Sequence, residues 1–306
     1  MPVIKYTLAL ILSGIILSLL PALSAAQNAG LPVNHLFGRK YKLGETYRYK
    51  LTMQEFHDGK WQFTNVVICE LKVVPDSAGV PYDEVHWVSK KVINPKDTVD
   101  QTKEAASVTP YRISLDGKGK VPLPAIAVTE MTEPIQDFNT FFVAVSPVLG
   151  SIDKLNKTGD SIVLKDPVTA NFANGTSMLT GEDCLAISAR LISATKKDVL
   201  LHTAFMAPSQ PCLTYISSEM NTPVVKDTLN NFQMVTPAAN DLYNVNYGRE
   251  YFYINSTIRK SDGKIIKADM FNQLNLKIKI NCKKDYTGCQ FEVPFAEQRL
   301  LTLELL

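Results

Sequence analysis

A metal site would most readily use the histidines, but the spacing of the histidines in this chain gives little support for such a site. The four are His35, His57, His86 and His202. No pair has the i, i+4 spacing that places two imidazoles on one helix face, and H-E-x-x-H does not occur. Glu55, His57 and Asp58 stand together where a turn is expected. Turns gather polar side chains, so a solvated hairpin tip is the favoured interpretation. We predict no metal ion and no cofactor.

A serine nucleophile is the next chemistry to consider. Ser193 and Lys196 fit the pattern S-x-x-K, and residues 157–159 fit K-T-G, the motifs of serine β-lactamases and penicillin-binding proteins. In those enzymes K-T-G follows S-x-x-K, whereas here it precedes it. Ser193 also stands at an expected hairpin turn, while such a nucleophile opens a helix. The G-x-S-x-G elbow is absent as well, so we assign no catalytic residues.

Charge and composition exclude further classes of partner. The formal net charge is +2, and 45% of the residues are hydrophobic. This balance argues against nucleic acid or an anionic membrane surface as the main partner. Residues 117–119, Gly-Lys-Gly, lie between two extended segments, whereas a phosphate-binding loop joins a strand to a helix. An apolar small molecule and an envelope protein remain as candidate partners.

The first 26 residues have the features of a secretory signal peptide. Lys5 supplies the positive charge, residues 8–20 the apolar run, and Pro21 breaks it before small residues that end at Ala26. The alternative is an uncleaved membrane anchor, since the apolar run approaches the length that spans a bilayer. No later run is long enough to span one. We expect export to the periplasm or beyond, with residues 1–26 removed.

The remaining residues, 27–306, are sufficient for a large core. Their length fits a single large β domain, or two β halves at about 27–150 and 151–306. Residues 150–160 are polar and are the segment that would separate such halves.

Five cysteines raise the question of disulfides, which export permits. Cys282 and Cys289 end two strand-like runs and flank six residues, so a bridge between them is expected. Cys184 and Cys212 either pair or stay reduced. Cys69 alternates with apolar residues of a strand and is predicted to be a buried thiol.

Hairpin patterns dominate the chain. Two long strands meet at an Asp-Gly turn in residues 261–264, and a similar pair, residues 46–56 and 62–74, meets at residues 57–60. The two stretches share Gly, Tyr and Asp-Gly-Lys positions, which fits either a duplication or convergence on hairpin residues. A strand at residues 82–92 turns the first pair into a three-stranded meander.

The best helix candidate is residues 132–147, which carry a proline in the first turn and apolar residues at helical spacing. We read residues 94–108 as a loop and residues 289–295 and 300–305 as two closing strands. The sum is mainly β: a large antiparallel twisted sheet, an open barrel or a sandwich built from hairpins, with one or two short helices.

Alternation along the two hairpins places apolar residues on one face of each. If the sheet closes around a cavity, these side chains would line a concave site for an apolar ligand, although a filled core is the commoner use of such a face. The residues of this expected face are Tyr47, Tyr49, Leu51, Met53, Leu274, Leu276, Ile278 and Ile280.

The leading hypothesis is a non-enzymatic, exported cell-envelope protein that binds an apolar ligand or a protein partner through its sheet. One alternative is a secreted hydrolase whose catalytic residues are dispersed along the chain. The other is a structural or assembly module that acts through exposed sheet edges.

Overall fold

The computed structural model describes residues 38–76, 78–116, 121–122, 124–146, 154–164, 169–173, 177–180, 187–205, 215–217 and 231–306. The expected signal peptide and the proposed pairing of Cys184 with Cys212 lie outside the described residues. Contacts group Leu36–Leu306 into one compact unit. Within the described ranges, no helix is both long and apolar enough to cross a membrane.

These residues form fifteen strands, two α-helices and one short 3₁₀ helix, Thr129–Met131. The helices are α1 (Thr102–Ala106) and α2 (Thr132–Val143). The strands are β1 (Thr46–His57), β2 (Lys60–Pro75), β3 (Pro81–Ile93), β4 (Thr98–Asp100), β5 (Tyr111–Ile113), β6 (Ser161–Leu164), β7 (Thr169–Ala173), β8 (Ser177–Thr180), β9 (Ile187–Ala194), β10 (Asp198–Phe205), β11 (Tyr215–Ser217), β12 (Phe232–Pro237), β13 (Tyr243–Arg259), β14 (Ile265–Cys282) and β15 (Phe291–Leu305).

The predicted meander and hairpin are both confirmed. β1 pairs with β2 and β2 with β3, all antiparallel. β13 pairs with β14 along almost its full length, from Tyr243 opposite Cys282 to Ile258 opposite Ile265. At the two tips, Gly59 and Gly263 adopt positive φ angles of 76° and 72°, as tight turns between twisted strands require.

One large sheet contains all fifteen strands, in the order β4-β3-β2-β1-β15-β14-β13-β12-β11-β8-β7 along its main path. The C-terminal strand β15 lies between β1 and β14 and so joins the first meander to the last hairpin. At β13 the sheet forks, because β12 pairs with one half of that strand and β10 with the other. Among the described strands the path does not close on itself. The predicted mainly antiparallel β class with two short helices is therefore confirmed.

Helix α2 covers part of one face of the sheet. Its Pro134 suits the first turn, and Ile135, Phe138 and Phe142 fall on one side of the helix and are buried. Phe138 and Phe142 lie edge-on to Tyr49, with ring centroids 6.0 and 5.8 Å away. Such aromatic pairs add about 0.5–1.5 kcal/mol each beyond area burial. The helix expected in this region is confirmed, ending at Val143.

Two expectations about secondary structure were wrong. Residues 94–108, expected to be a loop, contain β4 and α1. The two closing strands expected at 289–295 and 300–305 are one continuous strand, β15. Its polar middle reads as a break in the sequence but is paired with β14 throughout. Pro294 is tolerated because it lies beyond the end of β1, where β15 has a single described neighbour.

The segment before β1 is held against the turn between β13 and β14. The amide of Lys40 donates to the carbonyl of Asp262 at 2.8 Å, and Arg39 donates to the same carbonyl at 3.2 Å. A side chain on Gly263 would meet the carbonyl oxygen of Gly38 at 2.4 Å. Arg39 also reaches the buried Asp83, with 3.7 Å between Nη2 and Oδ1.

Candidate functional site

One face of the sheet, here called the inner face, carries both halves of the expected apolar surface. The register shows this directly: Met53 stands opposite Leu301, Leu301 opposite Met270, and Met270 opposite Ile254. Alternate residues along each of these strands therefore share the inner face with them. Leu51 and Leu276 lie on the same side although they are far apart in sequence.

The half of the inner face formed by β1 is core. Tyr49, Leu51 and Met53 are at most 2% exposed and belong to the cluster that includes the α2 side chains. The hydroxyl of Tyr49 donates to the carbonyl of Ile265 at 2.9 Å. Tyr47 packs at the edge of this cluster, with the ammonium of Lys264 over its ring at 4.3 Å from the centroid. These four predicted residues thus lie under or beside α2, where protein side chains fill the space.

A polar band crosses the inner face at the edge of the region that α2 covers. We use this name for Asp137 of α2, Glu250 of β13, Asn272 of β14 and Arg299 of β15. Nη2 of Arg299 lies 2.6 Å from Oδ2 of Asp137. Asn272 donates to Oε1 of Glu250 at 2.9 Å. Burial raises the pKa of Asp137 to about 6, against the opposing effect of Arg299, and burial also raises the pKa of Glu250.

Beside this band lies a Glu-His-Glu cluster, made of Glu55 and His57 on β1 and Glu297 on β15. Their ligand atoms all lie within 4.8 Å of one another. Nε2 of His57 is 2.7 Å from Oε1 of Glu55. The Glu55 side chain is 9% exposed and that of His57 is 35% exposed. Burial, followed by the charge of Glu297, raises the pKa of Glu55. The solvated hairpin tip expected here describes Asp58 better than Glu55.

The backbone fixes the position of this cluster. The amide of Asp58 donates to the carbonyl of Ala296 at 2.8 Å, and the amide of Ala296 donates to Oδ1 of Asp58 at 3.1 Å. These two bonds tie the β1–β2 turn to β15. The ring of Phe295 stands edge-on to His57, with 5.0 Å between centroids, and limits its rotation.

Beyond the polar band, the inner face becomes apolar again and is partly exposed. Three cross-strand pairs of β14 and β15 form what we call the distal strip: Leu276 with Phe295, Ile278 with Val293, and Ile280 with Phe291. Leu274 and Leu276 are buried in a small cluster with Phe232. Phe291 is 46% exposed and Val293 is 42% exposed. The second half of the predicted apolar face is therefore not uniformly filled.

A hollow with a volume of about 450 Å³ lies behind the buried end of this strip, on the opposite face of the sheet. Gly248, Leu276 and Phe295 form one row across three strands and contribute to its wall. The neighbours of this row in sequence alternate to the opposite face and supply most of the lining: Tyr247, Arg249, Asn275, Lys277, Pro294 and Ala296. A side chain on Gly248 would meet the carbonyl oxygen of Asn275 at 2.3 Å, so the close approach of the β14 backbone requires glycine at this position.

The far end of the β14–β15 hairpin is closed by the predicted disulfide, Cys282–Cys289, which is confirmed. Its loop folds back so that Tyr286 is buried against Val245 and Tyr247. Those two residues alternate with the inner-face positions of β13, so the loop covers the opposite face. Cys69 is the buried free thiol that its strand pattern predicted. The distal strip is thus bounded by the polar band and by a cross-linked tip.

Comparisons with known proteins leave the family open. No family model matches the chain, and no curated relative matches it. A structure reporting lipid–protein interactions in lipovitellin is similar at a TM-score of 0.40 and 10% identity. The similarity covers 87% of this chain and 25% of that one, so the chain spans about a quarter of lipovitellin's length. The MucA/MucB complex of Pseudomonas aeruginosa has a TM-score of 0.14 and 8% identity, over 86% and 89% of the chains. Neither similarity assigns the chain to a family.

Sequence reasoning missed Glu297, Arg299 and Asp137. A signal for the first two was present, because they alternate with Leu301 and Leu303 and so occupy positions where an inner-face apolar residue is expected. Asp137 likewise interrupts the apolar side of α2. Their meeting with Glu55 depends on β15 pairing with β1, a contact between the two ends of the chain.

Proposed function

We propose that this protein is exported and binds an elongated apolar molecule, such as a lipid acyl chain, along the distal strip. The main support is that Phe291 and Val293 are exposed on a face of the sheet that is otherwise core. On one side of the polar band the inner face is covered by packed side chains. On the other side it is partly exposed to solvent but still apolar.

Exposed apolar side chains on separate positions are ordinary, but a continuous apolar strip is not. The strip runs from the buried Leu276 to Ile280 and Phe291 at its open end. With about 3.3 Å of rise per residue, positions 276 to 280 span about 13 Å. An apolar chain lying along this surface would displace water from it. The hydrophobic free energy gained is about 25 cal/mol per Å² of buried apolar area.

Export is part of the proposal and is supported by the N-terminal sequence and by cysteine chemistry. The apolar run before Ala26 is typical of a signal peptide. A disulfide such as Cys282–Cys289 is typical of proteins in oxidising compartments.

The test is a titration of the purified full chain with cis-parinaric acid, a fluorescent fatty acid. We expect saturable binding at one site, weakened roughly 10-fold by Val293→Asp because a carboxylate would be desolvated there. Val163 on β6 is 54% exposed and lies outside the strip, so Val163→Asp is the matched control and should bind normally. Absence of saturable binding, or equal weakening by both variants, would overturn the proposal and favour a protein partner.

A further inference from the structure

We propose that Glu55, His57 and Glu297 form a binding site for one divalent transition-metal ion. The proposal is independent of fatty-acid binding at the distal strip. It concerns side chains beside the polar band rather than the apolar surface beyond it.

Strand geometry brings the three side chains together. Glu55 and His57 are two residues apart on β1, so both point to the inner face. His57 stands directly opposite Glu297 on β15, and directly opposed residues have Cβ atoms about 4.5–5.5 Å apart. This arrangement converges three ligand atoms to within 4.8 Å of one another.

The donor set suits a transition ion. One imidazole nitrogen and two carboxylate oxygens are ligands that Zn²⁺ accepts at about 2.0–2.2 Å, with water in the remaining position. Two ligands on a tetrahedral ion at that distance lie about 3.3 Å apart. The 2.7 Å between His57 and Glu55 would therefore open by about half an ångström. An imidazole ligand favours transition ions over Mg²⁺ or Ca²⁺.

Among the described residues, neither carboxylate has a hydrogen-bond or ion-pair partner outside the cluster. Glu55 is more than nine-tenths buried, and among the described residues its side chain bonds only to His57. Glu297 makes no side-chain hydrogen bond or ion pair within the described part of the chain, although it is half-buried. The nearby guanidinium of Arg299 is directed at Asp137 instead. A divalent ion would neutralise the two carboxylates together.

The same chain contains a matched arrangement that lacks this feature. On the outer face, Glu84 and His86 are also two residues apart, with 3.1 Å between Oε1 and Nε2, and Glu70 stands opposite His86. There, however, each carboxylate has an arginine: Arg112 binds Glu84 at 2.9 Å and Arg48 binds Glu70 at 2.8 Å. The same residue types therefore occur on the outer face with an arginine bonded to each carboxylate and on the inner face without one.

To test this, the full chain is first treated with a chelator to remove bound metal. It is then titrated with Zn²⁺ by isothermal calorimetry, without fatty acid present. We expect one ion per chain and roughly 100-fold weaker binding in His57→Ala and in Glu297→Gln, since each removes a ligand. His86→Ala should bind as the native protein does. Co²⁺ in place of Zn²⁺ should show visible absorption that His57→Ala abolishes.

No Zn²⁺ binding by the native chain would overturn the proposal, as would unchanged binding in His57→Ala or lost binding in His86→Ala. Glu297 is half-buried and forms no ion pair with a described residue, so Glu297→Gln should fold. If His57→Ala fails to fold, Zn²⁺ binding by Glu297→Gln becomes the deciding measurement. Because cis-parinaric acid is titrated without metal, either proposal can fail while the other stands.

Discussion

Arg299 on the last strand donates a hydrogen bond of 2.6 Å to the carboxylate of Asp137 on helix α2. This contact joins the C-terminal strand to a helix whose apolar side chains pack on the core half of the inner face. Both side chains are largely buried, at 15% and 7% exposure. They mark the point where the filled core ends and the polar band begins.

Replacing Arg299 with methionine should destabilise the fold by about 3–5 kcal/mol, because Asp137 would be left buried without its partner. The double variant Arg299→Met/Asp137→Leu should recover much of that loss, since an apolar pair has no charge to desolvate. Urea unfolding at pH 7 measures both free energies. A single variant as stable as the native chain would show that the ion pair does not hold α2 on the sheet.

The two hairpin glycines should respond differently to the same change. Gly263→Ala places a methyl group against the Gly38 backbone, 2.4 Å from its carbonyl oxygen, and should cost about 3 kcal/mol or more. Gly59 has a similar φ but nothing within 4 Å of an added Cβ, so Gly59→Ala should cost about 1 kcal/mol. Thermal unfolding compares them. Equal losses would mean that the segment before β1 is not held at the turn.

Stability should depend on pH through Asp83. Burial raises its pKa to about 6, while Arg39, Tyr47 and Lys264 act in the opposite direction and Glu45 adds to the rise. The folded state therefore holds a proton that the unfolded chain has released above pH about 4. Stability attributable to Asp83 is present below that pH and falls by about 3 kcal/mol as pH rises through 6.

The variant Asp83→Asn should remove this component, so that its stability declines less than that of the native chain between pH 4 and 7. Urea unfolding across that range provides the comparison, and the difference between the two curves separates Asp83 from Asp137, whose pKa is also raised to about 6. Parallel curves would contradict the assignment to Asp83.

The disulfide should stabilise the hairpin tip modestly. Cys282 and Cys289 are seven residues apart, and closing so short a loop corresponds to about 2.5 kcal/mol of unfolded-state entropy. We expect Cys282→Ser/Cys289→Ser to lose about that much stability, and reductant to lower the native chain to the same level. If reductant destabilises the double variant equally, its effect has another origin.

Alternating residues and Asp-Gly turns were sufficient to predict the hairpins, because neighbouring strands in a hairpin are decided locally. The insertion of β15 between β1 and β14 was not predictable from such patterns. No pattern within residues 291–305 indicates which strands they will pair with. The polar residues 297–299 make one long strand look like two.

Only the part of the site that depends on local strand patterns could be predicted from the sequence. Leu276, Ile278 and Ile280 were identified from period-two alternation, and the register places them on the expected face. That Tyr49 would be covered by α2 depends on tertiary packing. The meeting of His57 with Glu297 depends on a pairing between residues 240 positions apart, which a single sequence does not reveal.

The most direct test of ligand binding is native mass spectrometry of the protein purified from its own cell envelope, followed by organic extraction of whatever it releases. We predict a stoichiometric, lipid-sized adduct on the native chain that is absent from Val293→Asp and present on Val163→Asp. A bare protein mass from native material, with no extractable apolar molecule, would contradict ligand binding at the distal strip.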